Sequence, residues 1–98
     1  MADEELFKQI TDRMLDLYQK KNADYGGSVS STYKTFGLTA FLVRMQDKIN
    51  RCVSLERNGR DRAVSDERIE DTLIDLANYA VLALIETEKE KALTKAKA

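Results

Sequence analysis

The stretch IEDTLIDLANYAVLALIETE, residues 69–88, decides the fold. At roughly 100° per residue, Ile69, Leu73, Leu76, Ala77, Ala80, Val81, Leu84 and Ile85 make a broad apolar face, and Tyr79, Leu82 and Ala83 extend it round most of the circumference. The spacing predicts a helix that needs neighbours on nearly every side. One polar line runs through it: Asp71, Asp75 and Asn78, continued backward by Glu67 at steps of three and four. A carboxylate on such a helix requires a counter-charge, a metal ion or a charged ligand, because burial without a partner costs several kcal/mol.

Working outward, Ser65 can cap this helix, with Asp66 and Glu67 in its first turn where the helix dipole favours acids. Residues 59–65 read as a charged connector, and Asn58-Gly59 as the stop of a preceding helix over about 38–58. In that helix Leu38, Phe41, Met45, Ile49 and Cys52 share a stripe, flanked by Arg44, Lys48 and Arg51 with Lys48 nearest the core. A first helix over about 3–22 follows from the spacing of Leu6, Phe7, Ile10, Met14, Leu17 and Tyr18, with Asp3, Glu4 and Glu5 at its start and Lys20 and Lys21 at its end. Between the two lies ADYGGSVSSTYKTFG, residues 23–37, where Gly26-Gly27 and the Ser/Thr run break any long period and predict a loop with at most a short helical turn.

The expected fold is all-α: three long helices forming an oligomeric helical bundle with a functional loop between helices one and two. One domain spans 1–98, its core about 1–88 and residues 89–98 a polar tail that frays. Two helices of a chain this short cannot cover the third, so a homo-oligomer, dimer or tetramer, is expected.

Composition narrows the chemistry. The 98 residues contain no proline and no histidine, which removes the usual general base and the commonest transition-metal ligand. A net charge of −1 provides no general attraction to polymeric nucleic acid or acidic membranes, so an anion site must be local. The single Cys52 forms no internal disulfide and reads as a small core residue. Met1-Ala2-Asp3-Glu4-Glu5 lacks the basic and apolar regions of a leader, and no apolar run is long enough to span a bilayer. These features predict a cytoplasmic protein without a membrane partner.

Three groups of residues can carry function. Arg44, Lys48 and Arg51 either pair with Glu67, Asp71 and Asp75 or bind phosphate, which arginine grips through its bidentate fork. The acids themselves could chelate Mg²⁺, a hard cation that takes carboxylate oxygens; no other cofactor is implied. The predicted loop supplies glycine backbone at Gly26 and Gly27, a hydroxyl at Ser28, rings at Tyr25, Tyr33 and Phe36 and cations at Lys21 and Lys34, the group types that hold phosphates and stack on bases. No Walker-type or GxGxxG spacing is present.

Taken together, residues 21–28 (KNADYGGS), 44–51 (RMQDKINR), 64–67 (VSDE) and 70–79 (EDTLIDLANY) resemble the first of the nucleotide modification associated domain families, found widely in bacteriophages. The resemblance covers about residues 15 to 85 and implies a role linked to nucleotides. More distantly the chain is similar to the all-α, MazG-like nucleotide pyrophosphatases, which hold Mg²⁺ between an EExxE block and an ExxD block. It departs from them: the middle helix is basic where EExxE would stand, and Thr72 occupies the position three before Asp75.

Three functions therefore stand open. The first is a non-catalytic binder that holds or sequesters a phosphorylated nucleotide, linear or cyclic, at a subunit junction, similar in general design to viral sponge proteins that evade immunity by sequestering cyclic nucleotide signals. An Mg²⁺-dependent pyrophosphatase comes second and a structural helical oligomer third. The missing histidine and missing acidic block favour the binder.

Overall fold

The computed structural model describes residues 2–22, 27–57 and 68–96 in full, and the backbone of 23–25, 58 and 97 besides. Among the described residues four α-helices follow one another: α1 Asp3–Tyr25, α2 Ser28–Phe36, α3 Thr39–Asn58 and α4 Ile69–Lys97. The described residues contain no strand. Ser65, Asp66 and Glu67, expected to open the last helix, lie outside the described residues.

The expected loop between the first two long helices is corrected by α2. Val29, Tyr33 and Phe36 recur at steps of four and three there, enough for two turns of amphipathic helix inside a Ser/Thr-rich run. Glycines bound it. Gly27 stands at its N-terminus, and Gly37 ends it with φ +69° while its N–H donates to the Tyr33 carbonyl at 2.7 Å, a left-handed stop that favours a residue without Cβ.

α4 is the spine. Its principal partner is α3, which runs antiparallel to it: Lys48 meets Asp75, Arg44 shares a groove with Tyr79, and Leu38 lies near Leu93. α2 packs on α3, and α1 crosses α4 through its half-buried Met14, Leu17 and Tyr18, with the Asn78 amide donating to the Met14 carbonyl at 3.3 Å. The buried stripe of α3 is Phe41 and Leu55 with half-buried Met45, Lys48 and Cys52 between them. Ile49 and Leu38, expected inside, face outward because α4 lies on the Lys48 side of the helix.

Within one chain the core is small. Only Phe41, Leu55, Ile74 and Ala83 are buried apolar residues among those described, whereas fourteen large apolar side chains are exposed, including Leu6, Phe7 and Ile10 on α1, Leu42, Ile49 and Val53 on α3, and Leu73, Val81 and Leu84 on α4. The radius of gyration is 16.1 Å, against about 13 Å for a compact chain of this length. The first half of α1 extends beyond its crossing with α4, and α3 presents one apolar face inward and another to solvent. No helix among the described residues is long and apolar enough to cross a membrane.

Candidate functional site

Three helices meet at Asp75. Its Oδ1 accepts from Lys21 Nζ of α1 at 3.0 Å and its Oδ2 from Lys48 Nζ of α3 at 3.3 Å. The carboxylate side chain is 23% exposed, Lys48 27% and Lys21 41%, so the cluster sits at the boundary between core and water. The counter-charge that the acidic line on α4 requires thus comes from two neighbouring helices at once.

Three depressions that share lining residues follow α4 from this cluster. Between α1 and α4 a hollow of about 390 Å³ is lined by Arg13, Asp16, Lys21, Asp71 and Asp75. Lys21 and Asp75 also border a crevice of about 30 Å³ with Tyr18, Asn78 and Tyr79. Tyr79 in turn borders a groove of about 180 Å³ formed with Ser28, Thr32, Tyr33, Phe41 and Arg44. The hollow alone reaches the size of small-ligand pockets, roughly 300–1,000 Å³.

The groove end favours anions. No side chain caps the N-terminus of α2, where Gly27 stands as N-cap, so the first N–H groups of that helix lack a capping acceptor and carry the positive end of its dipole. Ser28 adds a hydroxyl there. Arg44, exposed on α3, makes no ion pair with any described residue, and its guanidinium is free to take two oxygens of one phosphate. Tyr33 and Tyr79 provide ring surface beside it.

The expected binding residues divide accordingly. Lys21 and Lys48 converge on Asp75, and Ser28, Tyr33 and Arg44 line the groove, with Gly27 at the turn before it. Lys34 lies instead on a separate recess on the α4 side of α2, Phe36 is 67% exposed at the end of α2, and Arg51, one turn beyond Lys48, does not line these depressions. The Tyr25 side chain, Gly26 and Glu67 lie outside the described residues.

Sequence reading missed Arg13, Asp16, Tyr18 and Tyr79 as lining groups. Arg13, Leu17 and Lys21 follow one another at steps of four, which places the two cations on one face of α1. Both tyrosines read as core, although a phenol usually keeps its hydroxyl end toward polar surroundings.

Of the acids expected to hold magnesium, Glu67 lies outside the described residues, which leaves Asp71 and Asp75. Asp75 is already bridged by two ammonium groups, Asp16 pairs with Lys20 at 2.9 Å, and no three potential ligands among the described residues come together to hold a metal ion. The described residues therefore do not form the cage implied by the pyrophosphatase resemblance.

A second polar cluster joins α2 to α4. The Ser30 hydroxyl donates to Glu86 Oε1 at 2.7 Å, Lys89 Nζ lies 3.0 Å from the same oxygen and 3.2 Å from Ser30 Oγ, and the Tyr33 hydroxyl donates to Glu90. Glu86 is buried, 7% exposed, beside a recess of about 940 Å³. Burial pushes its carboxyl up, but the hydrogen bonds from Ser30 and Lys89, with the charges of Lys89 and Lys34, outweigh this and hold it below the ordinary carboxylate value. Tyr33 is pushed above its ordinary value by its bond to Glu90 first, then by desolvation and the charges of Glu90 and Glu86.

No curated protein and no solved structure matches the chain. A family model described as nucleotide modification associated domain 1 matches residues 21–87, more than half of the chain. The match opens at Lys21, whose ammonium meets Asp75, and takes in every groove residue and Glu86; Arg13, Asp16 and Tyr18 precede it. The chain therefore belongs to the nucleotide modification associated domain 1 family.

Proposed function

We propose that the protein binds a phosphorylated nucleotide, linear or cyclic, and holds it without turnover at a junction between copies of the chain. The observation that carries this reading is the placing of Arg44 in the groove with Tyr33, Tyr79 and the uncapped start of α2, one helical turn along α3 from Lys48, which meets Lys21 at Asp75. Phosphate belongs at Arg44, Ser28 and the N-terminus of α2, where nothing negative among the described residues competes for the guanidinium. The base belongs against the tyrosine rings.

Membership of a nucleotide-linked family supports the ligand class. The small buried core and exposed apolar faces of α1, α3 and α4 support assembly of several copies, which would close the open depressions. The reading without turnover rests on chemistry: hydrolysis of a phosphoanhydride needs metal or equivalent charge on both the attacking and leaving oxygens, and on the α3 side the group that reaches Asp75 is a lysine. The finer reading is sequestration of a nucleotide signal in the cytoplasm of a phage-infected cell.

Native mass spectrometry after incubation with a panel of linear and cyclic nucleotides and Mg²⁺ tests all of this together. The expected result is an oligomer carrying intact nucleotide, with Arg44→Ala weakening binding by about 1.5 to 3 kcal/mol while the fold is retained. Monophosphate or pyrophosphate produced in an Mg²⁺- and Asp75-dependent way would overturn the non-catalytic reading, and no retained nucleotide at all would overturn binding.

A further inference from the structure

We infer that Glu86 is a positioning residue for the nucleotide groove, acting through Ser30 to seat α2; the inference rests on the nucleotide-binding reading above. α2 contributes one wall of the groove through Ser28, Thr32 and Tyr33, yet none of its residues is buried. Nine residues bounded by glycines are too few to persist as a helix in water, so α2 depends on what it is docked against. Toward α3 it has the Tyr33–Phe41 ring contact, centroids 5.9 Å apart. Toward α4 it has the hydroxyl–carboxylate bonds of Ser30 to Glu86 and Tyr33 to Glu90, reinforced by Lys89 on Ser30 and Glu86.

Of these groups Glu86 fits a seating role best. A carboxylate exposed to only 7% must keep its partners, and a hydroxyl bonded to a charged acceptor is among the stronger hydrogen bonds available to a protein. Ser30 faces Glu86 while Ser28 and Thr32, two positions to either side, line the groove. Loss of the bond frees the α2 wall to move away from Arg44 without touching any group that meets the ligand. Lys89 alone would satisfy the charge of Glu86; the Ser30 bond is what ties that charge to the site.

Hydrogen exchange of the ligand-free protein, followed by affinity measurements with the nucleotide panel, tests this with Glu86→Gln, Ser30→Ala and Ser30→Thr. Ser30→Ala and Glu86→Gln should speed exchange of the α2 amides by about tenfold or more while α3 and the first half of α4 keep their protection. Both should lower nucleotide affinity by a similar factor, and saturating nucleotide should restore the α2 protection. Ser30→Thr, which keeps the hydroxyl, should restore both. If Glu86→Gln fails to fold, Ser30→Ala and Ser30→Thr suffice. Unchanged α2 exchange in Ser30→Ala overturns the proposal, as does looser α2 with unchanged affinity. Looser α2 in a protein whose wild type binds no nucleotide leaves Glu86 seating α2 but refutes the nucleotide-binding reading and, with it, the role assigned to that seating.

Discussion

Asp75→Asn separates a salt bridge that merely stabilises from one that guards an anion site. The substitution preserves shape and removes the charge shared by Lys21 and Lys48, at 3.0 and 3.3 Å. Exposed ion pairs contribute about 0.2–1 kcal/mol and breaking a buried pair costs about 3–5 kcal/mol. With Asp75 at 23%, Lys48 at 27% and Lys21 at 41% exposure, solvent screens the cluster in part, which places the loss at about 2 kcal/mol. For a chain of this size that lowers Tm by about 10 °C at fixed protomer concentration. Affinity for a phosphorylated ligand should move the other way. On the proposed reading the phosphate sits at the groove end, about a helical turn or more from Asp75; at roughly 10 Å and an effective dielectric of 20 the repulsion is about 1.7 kcal/mol, and screening leaves about 0.5 kcal/mol, or roughly twofold tighter binding in the variant. Thermal melts and nucleotide titrations at two salt concentrations measure both quantities. Stability lost without any gain in affinity would show that the lysines serve only the fold, and a stability change below about 0.5 kcal/mol would refute the estimate of burial.

Three other outcomes follow from particular residues. Leu84, 61% exposed on α4, should mark an interface between copies: Leu84→Glu should reduce the mass found by light scattering, and a wild-type monomer at micromolar concentration would contradict the assembly. Gly37→Ala meets no steric obstruction but forces an L-residue to φ +69° and ψ −159°, so chemical denaturation should show a loss of about 1–3 kcal/mol. The folded Glu86 carboxyl lies below 4.5, its ordinary value, so its contribution to stability is present above that value and lost as pH falls through the folded one. NMR titration of the Glu86 carboxyl should show a midpoint under 4.5 together with loosening of α2, whereas a midpoint above 4.5 would reverse the sign.

Much of the architecture is readable because helical spacing is a long-range signal. The twenty residues of α3 and the apolar circumference of α4 leave no other regular structure open. α2 escapes the same reading: it is nine residues long, half of them Ser, Thr or Gly-flanked positions, and the bonds that seat it come from Glu86 and Glu90, 56 and 57 residues away. Propensity says turn, and tertiary contact overrides it. The inward stripe of α3 departs from its spacing for a related reason. Spacing alone rates Ile49 as core over Lys48, but Asp75 makes the lysine the favourable inward group. The basic and acidic lines were legible as opposed stripes, whereas the contribution of Lys21 from α1 depended on a helix crossing that no periodicity encodes.

The distribution of charge along the depressions also bears on what the family resemblance leaves open. Thr72 is 1% exposed and does not line the hollow, so a carboxylate there would be buried away from it. On the facing helix the group that reaches Asp75 is Lys48. A metal cage spanning the two helices would therefore need both a new acid where the backbone points inward and removal of a cation from its opposite wall. Instead, the hollow between α1 and α4 sets Arg13 and Lys21 against Asp16, Asp71 and Asp75, one acid in surplus, while the groove end carries Arg44 and the positive pole of α2 without a described acid to offset them. On the proposed nucleotide-binding reading, that gradient would orient the ligand with its phosphate toward Arg44 and its neutral, hydrogen-bonding end toward Tyr18, Asn78 and Tyr79. On the proposed reading a nucleotide meets this polarity with its phosphate, free or cyclised, at the groove end, and the same gradient disfavours a second highly charged group at the Asp75 end.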